Sequence, residues 1–166
     1  MVLNFFKKNK KASNLEILAP VNGKIIPIEE VPDPVFGQKM MGEGIAIVPT
    51  DGKIQSPVKG KVIQVAPTKH AIGILAEDGT EILIHIGLET VALEGKGFSV
   101  KVAVDDEISV GQLLIEVDLE YIGTHAASTI TPIVITNSLN SDKQYTVTEE
   151  TEGHAGSTVV LTVSAP

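Results

Sequence analysis

Two of the four histidines, His70 and His85, lie on either side of an Asp-Gly pair that separates two apolar runs. Asp78-Gly79 favours a two-residue type I′ hairpin turn, because both residue types tolerate the positive φ angles of that turn. In that register Ile72 lies opposite His85, and His70 lies opposite Gly87. The two imidazoles are then diagonal neighbours on one face of the sheet, a placement that a shift of one residue would abolish.

The expected neighbours on that face are the apolar residues Ile72, Ile74 and Leu83. Apolar surroundings disfavour an imidazolium ion, so both rings should be neutral near pH 7. A neutral imidazole can act as a nucleophile or as a metal ligand. Thr68, two residues before His70, can orient the ring of that histidine. The pair therefore predicts a functional site, with structural core or rim histidines as the alternative.

A zinc site within this chain is a weaker hypothesis, because zinc requires three or four ligands. Only His70 and His85 are expected to converge, whereas His125 falls on a short helix and His154 in a turn. We therefore expect no metal held by this chain alone and no required cofactor. A partner protein could still complete a shared intermolecular zinc site with the two converging histidines.

The composition excludes several other functions. The chain has 166 residues, a formal net charge of −8, no cysteine and no arginine. An acidic chain without guanidinium groups is a poor candidate for binding nucleic acid or for clamping phosphate with two parallel hydrogen bonds. The lack of cysteine excludes disulfides and zinc-thiolate sites. No apolar run approaches the length of a membrane span.

Short Val- and Ile-rich runs, separated by Gly, Pro, Asn and Asp, predict an all-β fold with the spacing of a sandwich or barrel. Aromatic residues make up only 4% of the chain, so aliphatic side chains must form the core. One short helix is expected, with Asp118 as its N-cap. The predicted strands are 16–18, 23–27, 44–48, 60–66, 71–76, 81–86, 98–102, 112–117, 130–136 and 157–163.

An internal repeat adds to this picture. The sequence of residues 19–28, APVNGKIIPI, returns as SPVKGKVIQV at residues 56–65, which is 37 positions later. The shared Pro-Val-x-Gly-Lys motif is longer than a turn alone requires, so two copies of a strand-turn-strand unit are expected to pack face to face. The repeat predicts an antiparallel β sandwich with internal duplication.

The first 14 residues differ from the remainder, which we expect to form one domain over residues 15–166. Four lysines and no acidic residue give this tail a positive charge. As a helix it would place Val2, Phe5 and Phe6 on one face, which is typical of an anchor for anionic lipid. Two alternatives follow: residues 1–11 bind an anionic membrane surface, or the tail is a solvated arm.

Residues 79–91, GTEILIHIGLETV, resemble the active-site motif of the glucose-type IIA proteins of the bacterial phosphoenolpyruvate:sugar phosphotransferase system. The resemblance extends to residues 19–23, 31–36, 42–47, 56–57, 68–71, 93–98 and 128–137. It implies the antiparallel β sandwich called a duplicated hybrid motif, with at most one or two short helices. That fold agrees with the repeat.

The resemblance also implies a phosphate relay in the cytoplasm. His85 would accept a phosphoryl group on Nε2 from phospho-HPr and pass it to a cysteine in the IIB domain of a sugar permease. His70 would donate a hydrogen bond to the phosphoryl oxygens, with Thr68 holding its ring, and the Nδ1 proton of His85 would bond a backbone carbonyl near Gly87. We expect the surrounding partner-binding surface to include Asp33, Phe36, Ile72, Leu83, Gly87 and Glu89.

Two other functions remain open at the level of the sequence. Zinc hydrolases of the lysostaphin type share the duplicated β architecture, although this chain lacks their His-x-His motif. A regulatory module that docks on transporters or enzymes is the second alternative, because some members of the resembled family have this role. The sequence does not indicate which sugar is transported.

Overall fold

The structure is a computed structural model that describes residues 14–166. The predictions for the N-terminal tail therefore lie outside the described residues, apart from Asn14. Within residues 14–166 no helix is long and apolar enough to cross a membrane.

The described chain is mostly β-strand, and every recorded strand pair is antiparallel. This confirms the predicted all-β class. The strands are β1 (Leu15–Leu18), β2 (Gly23–Pro27), β3 (Glu43–Pro49), β4 (Lys53–Gln55), β5 (Gly60–Val65), β6 (Ala71–Ala76), β7 (Glu81–His85), β8 (Phe98–Val100), β9 (Glu107–Ile108), β10 (Leu113–Val117), β11 (Thr131–Ile135), β12 (Gln144–Val147), β13 (Glu152–Gly153) and β14 (Val159–Ser164).

These strands form three sheets. The largest has the order β13-β2-β3-β11-β7-β6-β5-β9, and two smaller sheets have the orders β1-β14-β12 and β4-β10-β8. Every predicted strand is present within one or two residues of its expected ends. The prediction missed β4, β9, β12 and β13, which have only two to four residues and are too short for an alternating pattern to stand out.

Aliphatic side chains fill the space between the sheets, as the low aromatic content predicts. One continuous cluster runs from Ile17 to Val163 and draws on all three sheets. Isoleucine accounts for nearly all of the largest fully buried side chains. Branched aliphatic side chains pack well on a pleated surface, so the abundance of isoleucine and the sheet architecture have the same physical cause.

The internal repeat is visible as reciprocal backbone hydrogen bonds. Leu18 N donates to Pro57 O at 3.0 Å, and Gln55 N donates to Pro20 O at 2.7 Å. Leu18 and Gln55 are equivalent positions in the repeat, 37 residues apart, and so are Pro20 and Pro57. Each copy therefore donates one backbone hydrogen bond to the other through equivalent positions, and the predicted contact between the copies is observed. The contact is made by backbone hydrogen bonds, and β2 and β5 belong to the same sheet.

Each copy is also hydrogen-bonded to the segment just before a later strand, β14 for the first copy and β10 for the second. Ala19 accepts from Gly156 N and donates to Thr158 O, while Ser56 accepts from Gly111 N and donates to Gln112 O. Ala19 and Ser56 are equivalent positions in the repeat. The duplication thus extends beyond the ten residues in which the sequence makes it obvious.

The described chain has two short α-helices, and three 3₁₀ helices at Ile28–Glu30, Thr90–Leu93 and Ser138–Asn140. The predicted one, α2 (Leu119–His125), begins after Asp118, whose carboxylate accepts a hydrogen bond from Tyr121 N. The other, α1 (Pro34–Gly37), begins after Asp33, whose carboxylate accepts from Val35 N. A helix of four residues has no apolar periodicity, which explains why it was not predicted.

The hairpin between β6 and β7 differs from its prediction. Glu77, Asp78 and Gly79 form a three-residue loop, closed by a hydrogen bond from Ala76 N to Thr80 O at 2.9 Å. Only Gly79 has a positive φ, +91°, and Asp78 instead accepts from Thr80 N with its side chain. Three-residue loops of this kind are the next most common hairpin connection.

The longer loop shifts the register by one residue. Ala71 pairs with His85, and Ile72 pairs with Ile84, so the predicted pairings of Ile72 with His85 and of His70 with Gly87 are wrong. Ile72 and Ile74 lie in the main core and are fully buried. Their predicted place beside the histidines is therefore wrong, whereas Leu83 does share the outward face of β7 with His85.

Candidate functional site

His70 and His85 meet at the end of the hairpin opposite its turn. His85 is the last residue of β7, and His70 immediately precedes β6. Their ring centroids are 4.8 Å apart, with an interplanar angle of 80°. The predicted proximity of the two imidazoles is thus observed, although the predicted register is not.

The place of His70 outside the regular strand, which begins at Ala71, accounts for this difference. Lys69 has a φ of +63°, so the chain turns sharply just before β6 begins. His70 therefore lies outside the regular strand, and strand alternation does not set the direction of its side chain. Its backbone oxygen still accepts a hydrogen bond from Ile86 N at 2.7 Å, which ties the two histidine segments together.

The protonation of His85 follows from one hydrogen bond. Its Nδ1 atom lies 2.9 Å from Gly87 O. A carbonyl oxygen can only accept, so Nδ1 carries the proton in this contact. In the neutral ring the lone pair is then on Nε2, which makes Nε2 the nucleophilic atom.

The Gly87 carbonyl is itself held on both sides. Gly87 has a φ of +75°, and a Cβ atom at this position would lie 2.6 Å from Thr90 Cγ2 and 2.8 Å from Ser128 O. Before it, Ile86 O accepts from the Thr90 hydroxyl at 2.7 Å. After it, Leu88 N donates to Ser128 O at 2.9 Å. Only glycine fits this left-handed, crowded position without strain.

His70 has a hydroxyl partner. Its Nδ1 atom lies 2.7 Å from Thr68 Oγ1, the contact that the sequence predicts. A threonine hydroxyl can donate or accept, so this bond fixes the ring orientation and permits either neutral tautomer. Only 9% of the surface of His70 is exposed, whereas His85 is half-buried.

Burial makes both imidazoles harder to protonate. Desolvation lowers the pKa of His70 below its ordinary value, and it is also the main cause of the lowered pKa of His85. The nearby His70 ring lowers the pKa of His85 further, while the Gly87 carbonyl and the Asp33 carboxylate raise it and offset part of the effect. The expected neutral state near pH 7 agrees with these directions.

A second, smaller apolar cluster covers the outward face beside His85. Phe36 is its aromatic member, 5% exposed, and the Phe36 ring centroid lies 4.9 Å from that of His85. Leu83 packs against this cluster. The short helix α1 places Phe36 there, and its capping residue Asp33 stands close enough to influence the charge state of His85.

The expected partner-binding residues thus separate into different environments. Asp33 and Leu83 are partly exposed, and Glu89 is exposed, with a φ of +59°. Gly87 is buried and acts on His85 through its carbonyl. Ile72 is fully buried in the main core, so it has no surface to offer a partner, and its expected place in the binding surface is wrong.

No group of three or more His, Cys, Asp or Glu side chains that could hold a metal is found within residues 14–166. His125 stacks on Tyr121, with ring centroids 4.1 Å apart, and its Nδ1 atom bonds Tyr121 O. His154 N bonds the Thr158 hydroxyl in a turn. Both of these histidines are exposed and have local partners in other elements of the fold.

Two residues that support the site were not assigned a role from the sequence. Thr90 is part of the motif at residues 79–91, and Ser128 begins another matched segment, but neither has a spacing that indicates a contact with Ile86 or Leu88. Their contribution comes from backbone and hydroxyl hydrogen bonds across a loop. Such bonds leave no periodic pattern in the sequence.

Comparison with known proteins agrees with the fold and shows the family. The family model for the phosphoenolpyruvate-dependent sugar phosphotransferase system, EIIA 1, matches residues 15–141. The glucose-specific EIIA component of Staphylococcus epidermidis strain RP62A is 55% identical over 134 residues, which is 81% of each chain. The glucose-specific EIICBA component of Staphylococcus saprophyticus is 51% identical over 83% of this chain and 20% of its own length.

A solved structure is also similar. Glucose permease IIA from Mycoplasma capricolum has a TM-score of 0.81 and 40% sequence identity, and the match covers 90% of this chain and 95% of that one. The resemblance found in the sequence and the predicted β sandwich are both confirmed. This chain belongs to the EIIA 1 family of the phosphoenolpyruvate-dependent sugar phosphotransferase system.

Proposed function

We propose that the protein is a phosphocarrier in sugar uptake, in which His85 Nε2 receives a phosphoryl group from phospho-HPr and passes it to a cysteine of a permease IIB domain. The observation that carries this proposal is the 2.9 Å contact between His85 Nδ1 and Gly87 O. It leaves the Nε2 lone pair free to attack, on a ring that burial keeps neutral. A protonated imidazole could not do so.

In the first step the Nε2 lone pair forms a bond to phosphorus while the N–P bond of phospho-HPr breaks, and the electron pair of that bond stays on the HPr imidazole. In the second step a cysteine thiolate attacks the phosphorus, and the N–P bond to His85 breaks. The ring then regains its lone pair. Neither step changes an oxidation state, so no oxidant or reductant is needed, and the cysteine enters the second step already deprotonated.

His70 assists as a hydrogen-bond donor. Its ring is 4.8 Å from that of His85, centroid to centroid, and is nearly perpendicular to it. When Thr68 donates to His70 Nδ1, the proton of the neutral ring is on Nε2, which can then bond a phosphoryl oxygen. Phosphoryl transfer depends mainly on positioning and on charge stabilisation, and a donor held this way supplies both.

The surface around the site supports the proposed partners. A partly apolar face, with the partly exposed Leu83 beside His85 and the buried Phe36 beneath, suits proteins that dock in turn and separate again. The acidic chain suits partners with a basic docking face, since complementary charge speeds the encounter. The relative named EIICBA, of which this chain matches 20%, supports a permease IIB domain as the acceptor. A relay between such partners operates in the cytoplasm.

Glucose is the sugar that we propose for the permease. Both staphylococcal relatives described above carry the name glucose-specific, and the similar solved structure is named a glucose permease IIA. The test measures transfer of a labelled phosphoryl group from this protein to glucose, with membranes that contain one permease at a time. Equal transfer with a permease for a different sugar would contradict the choice of glucose.

The central test is mass spectrometry after incubation with phosphoenolpyruvate, enzyme I and HPr. We expect one added phosphoryl group, labile to acid, on a peptide that contains His85. The His85→Ala variant should accept none, whereas His70→Gln should accept the group and fail to pass it on.

The matched control is His125→Ala, which removes an exposed histidine outside the pair. It should accept the phosphoryl group as well as the unmodified protein does. Full acceptance by His85→Ala, or an equal loss in the His125 variant, would refute the proposed function. A zinc ion shared with a partner and regulatory docking on transporters or enzymes stay separate predictions.

A further inference from the structure

The direction of the Gly87 carbonyl decides which nitrogen of His85 is free, so the groups that hold this carbonyl control the site. The carbonyl belongs to the peptide group between Gly87 and Leu88. The other end of that peptide group, Leu88 N, donates to Ser128 O at 2.9 Å. A planar peptide group bonded at both ends cannot rotate without breaking one of the bonds.

The preceding peptide group, between Ile86 and Gly87, has its own anchor. Ile86 O accepts a hydrogen bond from the Thr90 hydroxyl at 2.7 Å. Thr90 is fully buried, so water does not compete for this bond. Glycine has unusually free φ and ψ angles. The Thr90 hydrogen bond restricts the peptide group before Gly87, whereas the Ser128 hydrogen bond restricts the peptide group after it.

Ile86 connects the same anchor to the second histidine. Its N–H donates to His70 O at 2.7 Å, while its carbonyl accepts from Thr90. One residue therefore carries hydrogen bonds that lead to both halves of the histidine pair. A displacement of Ile86 would change the position of His70 relative to His85 as well as the direction of the Gly87 carbonyl.

We infer that Thr90 is a positioning residue for the phosphoryl-transfer site. Its hydroxyl holds the Ile86–Gly87 turn so that Gly87 O faces His85 Nδ1, and this keeps the lone pair on Nε2. The inference rests on the proposed function for its effect on transfer rate. The effect on the tautomer of His85 is independent of that function.

The shape of the site distinguishes the hydroxyl from the methyl group. Thr90 Cγ2 lies on the side of Gly87, where a glycine Cβ would approach it to 2.6 Å, whereas Oγ1 bonds Ile86 O. Valine would place a methyl group at the oxygen position, 2.7 Å from Ile86 O, which is too close for carbon. The carbonyl would have to move. Serine keeps the hydroxyl and loses only the methyl group.

The test compares Thr90→Val, Thr90→Ala and Thr90→Ser by long-range ¹⁵N–¹H NMR of the unphosphorylated protein. In the unmodified protein His85 should show a protonated Nδ1 and an unprotonated Nε2. The Val and Ala variants should show a substantial share of the opposite tautomer. Their rate of phosphoryl acceptance from phospho-HPr should fall on the order of tenfold, as when a group that orients a functional imidazole is lost.

Thr90→Ser should restore both the tautomer and the rate. The matched control is Ser56→Ala, because Ser56 is also fully buried and its hydroxyl donates to a backbone carbonyl, Val58 O, at 2.6 Å. That variant should lose stability without a change in the His85 tautomer. This outcome would separate positioning from a general loss of packing.

Two results would overturn the inference. One is the Nδ1-protonated tautomer and the original rate in both Thr90→Val and Thr90→Ala, and the other is a Ser variant as impaired as the Val variant. If the unmodified protein accepts no phosphoryl group at all, the proposed function fails. The tautomer measurement then still decides the role of Thr90.

Discussion

Replacement of Gly87 by alanine tests the architecture of the site most directly. The new Cβ would lie 2.8 Å from Ser128 O, and Ser128 O cannot retreat without weakening its bond from Leu88 N. Crowding in a packed region costs about 1–3 kcal/mol, and a left-handed conformation costs a residue with a Cβ about 1–2 kcal/mol. The unfolding free energy of Gly87→Ala should therefore fall by about 2–5 kcal/mol.

Gly79→Ala is the matched control. Gly79 also has a positive φ, +91°, but a Cβ at this position would meet no atom within 4 Å. Only the cost of the left-handed conformation applies, so we expect the unfolding free energy of Gly79→Ala to fall by about 1–2 kcal/mol. The difference between the two variants isolates the crowding at Gly87.

Urea denaturation of both variants, followed by phosphoryl transfer from phospho-HPr, provides the measurement. Gly87→Ala should be the less stable protein and should also accept the group more slowly, because His85 Nδ1 loses a correctly placed acceptor. Gly79→Ala should keep the original transfer rate. Equal stability of the two variants, together with normal transfer by Gly87→Ala, would refute the account of the site given above.

Three further predictions concern charge. Burial lowers the pKa of His70 and His85 in the folded state, so the unfolded state binds more protons below pH 6.5 and the unfolding free energy should fall as pH decreases through this range. Urea titrations of a His70→Gln/His85→Gln variant should show a weaker dependence of the unfolding free energy on pH. An unchanged dependence on pH would contradict this prediction. Asp33→Asn should keep the helix cap and lower the pKa of His85 further, as NMR titration can measure; a pKa that stays constant or rises would show that the carboxylate has no such influence. Removal of residues 1–11 should weaken binding to anionic vesicles and leave transfer from HPr intact, and equal vesicle binding would dismiss the anchor.

The all-β fold class could be predicted from the sequence because the patterns that indicate strands and turns are local and recur along the chain. Alternating aliphatic runs and regularly placed turn residues indicate strands, and a ten-residue repeat indicates a duplication. The pairs Leu18–Pro57 and Gln55–Pro20 follow from that repeat. The short strands could not be predicted, since pairing with neighbouring strands rather than their own sequence defines them. The helix α1 could not be predicted because four residues carry no apolar periodicity.

The histidine pair was predicted with an incorrect register. Asp78-Gly79 fits both a two-residue and a three-residue loop, and the structure has the second, which reverses the face expected for Ile72. The pair still meets because His70 precedes β6, next to Lys69 in a left-handed conformation that lysine rarely takes, so strand alternation does not set the direction of its side chain. Two local departures from the expected pattern thus compensate, and neither has a reliable signal in a single sequence.

The combination of no arginine with two neutral imidazoles has a consequence for a relay. An arginine fork would hold a phosphoryl group through two charge-assisted hydrogen bonds, which are about twice as strong as neutral ones. This chain has no arginine anywhere, and burial lowers the pKa of both His70 and His85. Before a phosphoryl group arrives, the donor that the proposed relay would place beside His85 Nε2 is therefore a neutral N–H group. A carrier that must release its phosphoryl group to a second protein is better served by such a donor, because a tighter ground state would raise the barrier of the second transfer.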